Sequence, residues 1–165
     1  MRRGFTLLEL MIVISIIVVV GGFVWIGLSN IGSSQELKNV TLVAANILRD
    51  AQQRSTVQQD GYYWGVQFEN VDGRDKFTLF RTTTRSADNI EEVVLTTMRS
   101  TVELVKPVKN NSPLKVIFNQ ITGQLISTSC PSSDFFEEVE ISVVNKEEDK
   151  SQIKIFCNGR VEFQK

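Results

Sequence analysis

Glu9 is the side chain whose placement most needs a chemical reason. It stands inside the apolar run from Phe5 to Leu28, and no other charge occurs between it and Ser29. A carboxylate deep in hydrocarbon costs about 2.5–3.5 kcal/mol on insertion scales, so such a group marks a function and needs a partner. The other chemically capable residues are few. Cys130 and Cys157 are the two cysteines, too few for a four-thiolate zinc site. Histidine is absent, which removes Ser-His-Asp triads, Cys-His dyads and HExxH zinc sites together. No GxxxxGK[ST] phosphate loop appears. Neither catalysis nor a cofactor is expected. The chain has 165 residues, 42% hydrophobic and 22% charged, with 18 Lys plus Arg against 19 Asp plus Glu. That describes one ordinary domain, or a small domain with an appendage, and gives no whole-chain case for nucleic acid.

Three readings of residues 5–28 compete. A cleaved secretory signal has a basic start, as Arg2 and Arg3 provide, but an apolar core of only about 7–15 residues and a small-x-small cleavage site. This run is longer and no such site follows. A plain membrane anchor needs roughly 20 apolar residues, which the run supplies, and the basic leader would keep the amino end cytoplasmic. An anchor gains nothing from Glu9, however.

The third reading supplies its partner. Gly4-Phe5-Thr6-Leu7-Leu8-Glu9-Leu10-Met11-Ile12-Val13-Ile14 closely resembles the class III signal of type IV pilins and type II secretion pseudopilins. The resemblance implies cleavage between Gly4 and Phe5 by a prepilin peptidase, N-methylation of Phe5, and neutralisation of a neighbouring subunit's Phe5 amine by Glu9 during assembly. Pairing two charges relieves both, whereas removing one strands the other. Many pilins carry a proline where this chain has Ile26. Here the first proline is Pro107, and Gly21, Gly22 and Gly27 occupy the apolar segment instead. Each glycine costs about 1 kcal/mol relative to alanine in a helix interior, so the run can loosen without a proline kink. Alternatively the glycines serve only close helix packing.

The helix should continue. Ser29 to Ser34 reads as a soft polar joint. Leu37, Val40, Ala44, Ile47, Leu48 and Ala51 then mark one face of a 3.6-residue repeat, opposite Lys38, Asn39, Asn46, Arg49, Asp50, Gln53 and Arg54. Gly61 is the expected stop. Beyond it the chain reads as strands: Tyr62–Phe68 with Trp64, Val66 and Phe68 on one side, then Phe77–Phe80, Val93–Leu95, Val102–Val105, Leu114–Phe118, Leu125–Thr128, Val139–Val144, Ile153–Phe156 and Val161–Phe163. Residues 71–75 form a turn, and Thr82 to Asn89 a loop. Glu138, Glu140 and Ser142 alternate with apolar residues, which predicts a strand wet on one face. The charge run 146–150 reads as an exposed hairpin tip. For the last hairpin, a three-residue loop at Cys157-Asn158-Gly159, with Gly159 left-handed, sets Ile155 beside Val161 and Ile153 beside Phe163. A two-residue loop at Asn158-Gly159 would mix faces.

The order of these elements is similar to that of the GspH/FimT group of minor pilins. The residues that carry the likeness are Asn46 to Ser55, the aromatic strand at Tyr62, the Val116-Ile117-Phe118…Thr122-Gly123 hairpin, and the closing Ile153-Lys154-Ile155…Gly159-Arg160-Val161. The expected fold is α+β and type IV pilin-like: a long N-terminal helix, transmembrane in its first half, packed on a C-terminal antiparallel β-sheet or sandwich domain. The expected divisions are a leader at 1–4, a transmembrane and assembly segment at 5–28, an amphipathic half-helix at 29–60 and an exported β-rich domain at 61–165. Pilins often staple the carboxyl-terminal region, which implies a Cys130–Cys157 bridge worth about 3–4 kcal/mol by loop closure. Two free thiols are the alternative.

The resemblance implies a noncatalytic minor pilin or pseudopilin of a type II secretion pseudopilus or a type IV pilus. It would begin as a single-pass protein of the inner (cytoplasmic) membrane with its domain outside the cytoplasm. Its partners would be other pilin subunits, the prepilin peptidase and the inner-membrane assembly platform, with energy from a separate ATPase. The alternative is a DNA-binding minor pilin acting in natural transformation, for which Lys150, Lys154, Arg160 and Lys165 make the tail locally basic.

Overall fold

The computed structural model describes residues 6–69, 75–86, 89–106, 113–126, 135–144 and 146–164; within these, the side chains of 23–31, 135–137, 143, 146 and 147 are not described. A single helix, α1 (Leu7–Thr56), runs for 50 residues, about 75 Å at 1.5 Å per residue. It passes through Ser29 to Ser34 as helix, so the expected joint does not interrupt it. Its end comes earlier than Gly61. Val57 N–H donates to Gln53 O at 3.0 Å, and Gln58 turns left-handed at φ 54°. A short 3-10 turn, Gln59–Gly61, follows.

The amphipathic stripe buries as its periodicity requires. Leu37, Ala44, Ala45, Leu48 and Ala51 are buried, and Val40 and Ile47 pack partly buried against the same core. Two polar members of the face are hydrogen-bonded, one within the helix and one to a strand. Thr41 Oγ1 donates to Leu37 O at 2.7 Å, and Ser55 Oγ reaches across to Phe118 O at 2.6 Å.

Two four-stranded antiparallel sheets receive the helix. The first has the order β3 (Ile90–Thr97), β2 (Lys76–Thr82), β1 (Tyr63–Glu69), β5 (Leu114–Phe118). The second has the order β4 (Val102–Lys106), β6 (Phe135–Val143), β7 (Lys146–Phe156), β8 (Val161–Gln164). Trp64, Val66 and Phe68 face the common core with Phe77, Leu79, Phe118, Ile141, Ile153 and Ile155. On the opposite face of β1, Gly65 lies between Phe80 on β2 and Ile117 on β5, and those two form a smaller buried cluster with Tyr63, Ile90 and Ile126.

Two contacts join the sheets at their margins. Asp75, buried ahead of β2, accepts the Leu104 N–H of β4 at 2.6 Å, where the β4–β6 register shifts. Elsewhere Leu125 N–H donates to Cys157 O at 3.1 Å. The last hairpin has the expected register, Ile155 opposite Val161 and Ile153 opposite Phe163, with Gly159 at φ 86°.

Three further expectations need correction. Leu125 makes only an isolated bridge to Phe118, and 127–128 lie outside the described residues. The charge run at 146–150 is the start of β7, with a register shift between Ser142–Lys150 and Val143–Lys146. The face of β6 expected to be wet is not: Glu140 and Ser142 are buried. Lys150 Nζ sits 3.2 Å from Glu140 Oε1 and Lys106 Nζ 3.8 Å from its Oε2. Lysine stems from both flanking strands fold over the carboxylate, as long amphipathic side chains can.

Candidate functional site

The amino-terminal end of α1 is built from its cap outward. Thr6 is extended (φ −81°, ψ 150°) and its Oγ1 accepts the Glu9 N–H at 3.3 Å. Thr6-Leu7-Leu8-Glu9 thus has the T-x-x-E spacing of a capping box. That spacing was readable in the sequence and gives Glu9 a local role beside its expected assembly role. The two roles differ in size. A carboxylate in the first helical turn gains about 0.3–1 kcal/mol from the helix dipole, less than the cost of burying it in hydrocarbon. Capping alone does not explain an acid in this run. Gly4 and Phe5 lie outside the described residues.

Around Glu9 the helix is bare. Leu7, Leu8, Leu10 to Ile14 and Ile16 to Val20 are all 45% to 77% exposed. Burying a side chain of this kind is worth about 1.5–3 kcal/mol, so a cover over these twelve would be worth on the order of 20 kcal/mol. Among the described residues no helix is long and apolar enough to cross a membrane. The expected span, 5–28, begins on a residue outside the described set and ends on six whose side chains are outside it.

The other expected sites lie in the β domain. Cys157 is in the turn after β7, partly buried; Cys130 lies outside the described residues. Among the described residues no cysteine is free. The basic tail residues are engaged with neighbours. Lys150 pairs with Glu140 at 3.2 Å, and Lys154 Nζ donates to Gln164 Oε1 at 3.3 Å. Arg160 pairs with Glu162 at 3.3 Å and stacks over Phe156 at 4.1 Å. Lys165 is outside the described residues.

A more ordered electrostatic cluster centres on Arg81, which sequence reasoning did not single out. Its guanidinium makes two hydrogen bonds to Glu91, at 2.8 and 2.7 Å. It stacks on Tyr62 at 4.7 Å and lies 3.9 Å from Asp60. Hydrogen bonding to Arg81 holds the Glu91 carboxyl below its usual range, and the same bond raises Arg81. On the same strand, a hydrogen bond to Glu69 raises Lys76. These pairs tie β2 to β3, β1 and the helix exit. A shallow cleft of about 400 Å³ beside Arg81 and Asn89 is lined by the same committed groups. No three His, Cys, Asp or Glu residues among those described gather as a metal site.

Residues 1–25 match the family model of the prokaryotic N-terminal methylation motif. No curated protein matches the sequence. Among solved structures, the fold is similar to that of the minor pseudopilin EpsH from the type 2 secretion system of Vibrio cholerae. The TM-score is 0.55 at 16% identity, over 78% of this chain and 96% of that one. The chain therefore joins a prepilin-type methylation motif to the pilin-like α+β fold of a minor pseudopilin.

Proposed function

We propose that the chain is a noncatalytic minor pilin or pseudopilin, a subunit of a type II secretion pseudopilus or of the related type IV pilus. Prepilin peptidase cuts between Gly4 and Phe5 and the new terminus at Phe5 is N-methylated. Before assembly the apolar segment 5–28, which includes the first part of α1, holds the protein in the inner membrane as a single pass, with the β domain outside the cytoplasm. During assembly, at the inner-membrane platform, Glu9 meets the Phe5 amine of an adjacent subunit. A Cys130–Cys157 bridge ties the segment before β6 to the last hairpin.

One observation carries the reading. The methylation motif at 1–25 leads into an exposed apolar helix that is continuous with a half buried against the β domain. A helix alone in water is marginal, so the bare half requires cover from lipid or from other helices. The described basic residues of the tail are paired or hydrogen-bonded, and they add nothing in favour of DNA as the main partner.

Mass spectrometry of the protein coexpressed with a prepilin peptidase tests this. The expected product lacks Met1 to Gly4 and carries one methyl group on Phe5. An unprocessed Met1, or a cut elsewhere, refutes the reading.

A further inference from the structure

Among the described residues, β3 is the longest of the strands that end a sheet. It has eight residues, against five in β4 and in β5 and four in β8, and it is hydrogen-bonded on one side only, to β2. Short length, lysine and proline keep an edge from pairing. β4 ends in Lys106. β5 carries Lys115 and is bridged at Phe118 by Leu125. β3 reads Ile90-Glu91-Glu92-Val93-Val94-Leu95-Thr96-Thr97, with neither lysine nor proline. Val93, Val94 and Leu95 are 43% to 54% exposed. Its one irregularity is a bulge at Val93, between the Leu79–Val94 and Phe80–Glu92 pairs. A bulge twists an edge, which hinders pairing with a second rigid sheet but not with a single chain that can follow the twist.

The acidic end of β3 runs into the cleft of about 400 Å³, where Glu91 and Ile90 meet Tyr62, Thr83 and Asn89. Glu91 and Asp60 share the guanidinium of Arg81, at 2.7 and 3.9 Å, and both carboxylates remain more than half exposed. Glu92 is exposed beside them. Arg85 is turned to the Tyr63 hydroxyl at 3.4 Å, and Lys76 is held by Glu69 at 2.7 Å. Carboxylates therefore outnumber the guanidinium they share, and a cation from outside the chain is attracted there.

We propose that the free edge of β3 binds an extended peptide segment of another protein as a fifth strand, with a basic side chain in the cleft at Glu91 and apolar side chains against Val93 to Leu95. Backbone hydrogen bonds hold such a strand and the side-chain sites select it. At about 3.3 Å per residue, a segment of about eight residues covers β3. A second copy of this chain is a poor occupant, because its β3 brings acids to acids and carries the same twist. Nucleic acid would bring phosphates to carboxylates. The inference stands whether or not the chain enters filaments.

The test uses the purified full chain in detergent and a dye-labelled octapeptide of alternating valine and threonine ending in two lysines. Antiparallel pairing brings those lysines to Ile90, and the sequence-reversed peptide serves a parallel register. Fluorescence anisotropy should show saturable binding of one of the two, and glutamates in place of its lysines should weaken binding about tenfold. Glu92→Lys should also weaken it about tenfold. Leu95→Lys, which gives β3 the lysine that β4 and β5 have, should do the same with a melting temperature within about 2 °C of the parent. Should Leu95→Lys fail to fold, Glu92→Lys and the exchange map decide. In that map, bound peptide should slow amide hydrogen exchange across Ile90–Thr97 and in no other edge strand. No saturable binding by either lysine peptide, equal binding of the glutamate peptide, or protection of another edge instead overturns the inference. So does sedimentation velocity showing, without peptide, a dimer in which β3 is already protected, since the occupant is then a second copy.

Discussion

Gly65 offers the sharpest test of the packing. A Cβ added there would press into Val116 O and lie 2.7 Å from Phe80 Cζ and 3.2 Å from Ile117 Cα. Two of these are backbone atoms of β5, and Phe80 is fully buried. Overpacking commonly costs about 1–3 kcal/mol. With a carbonyl oxygen in the way, Gly65→Ala belongs at the top of that range, about 3 kcal/mol. At about 2–4 °C per kcal/mol for a domain of this size, the melting temperature should fall by about 6–12 °C. Urea unfolding of the detergent-solubilised chain, followed by the fluorescence of buried Trp64, gives the free energy directly. A second substitution separates the two obstacles. Phe80→Leu removes the ring but not Val116 O, so Gly65→Ala combined with Phe80→Leu should remain less stable than Phe80→Leu alone. A Gly65→Ala protein within about 0.5 kcal/mol of the parent would refute the close approach of β5 to β1.

Other expectations follow from single contacts. Asp75→Ala leaves the buried Leu104 N–H without its 2.6 Å acceptor and should cost about 1–3 kcal/mol in urea unfolding, while Asp75→Asn, which keeps an acceptor oxygen, should cost less. Glu91 binds its proton more weakly in the folded chain because of Arg81. Its contribution to stability is therefore present above the unfolded carboxyl pKa, about 4.3, and is lost as pH falls through the lower folded value. A carboxyl NMR titration should find the Glu91 midpoint below that reference and Arg81→Gln should raise it; a midpoint indifferent to Arg81→Gln contradicts the pair. Glu9→Ala should be cleaved and methylated normally yet enter filaments poorly, and normal incorporation would reject the pairing role.

What could be read from sequence was whatever local periodicity decides. The stripe from Leu37 to Ala51 buries because a 3.6-residue repeat leaves it one face to bury. The last hairpin has its expected register because a one-residue slip exchanges Ile153 and Ile155 for the charged face. Gly65, in the strand Tyr63 to Glu69, was not singled out, because the Phe80 and Ile117 that close on it come from other strands. Non-local features escaped. Glu140 alternates with apolar neighbours as a solvated residue does, yet Lys106 and Lys150 on flanking strands lie over it. Asp75 read as part of a turn because its link to Leu104 spans two sheets. The helix stops at Thr56 because Gln58 turns left-handed, and neither Gln58 nor Ile121 announces such a conformation by its residue type.

The division of α1 bears on what drives assembly. Its first core residue is Leu37, so Leu7 to Glu36, about 45 Å of helix, has no core position among the described residues. On the proposed function the part of this length up to Leu28 moves from lipid into a bundle of like helices. Lipid tails are as apolar as leucine, so that transfer changes little for Leu7, Ile12 or Val19. Shape packing contributes, but the group whose environment changes most is Glu9. In hydrocarbon it bears a cost that reaches about 2.5–3.5 kcal/mol at the bilayer centre and is smaller toward the interface. Beside a neighbour's amine, that cost and the amine's own are both reduced. The acid therefore gives direction to a step that the apolar side chains leave nearly neutral. Glu9→Gln separates this from capping, because glutamine serves at that position of a capping box but cannot neutralise an ammonium. It should leave the folded domain's stability unchanged and still depress filament entry; normal entry by Glu9→Gln would mean that the carboxylate's charge is not what favours the transfer.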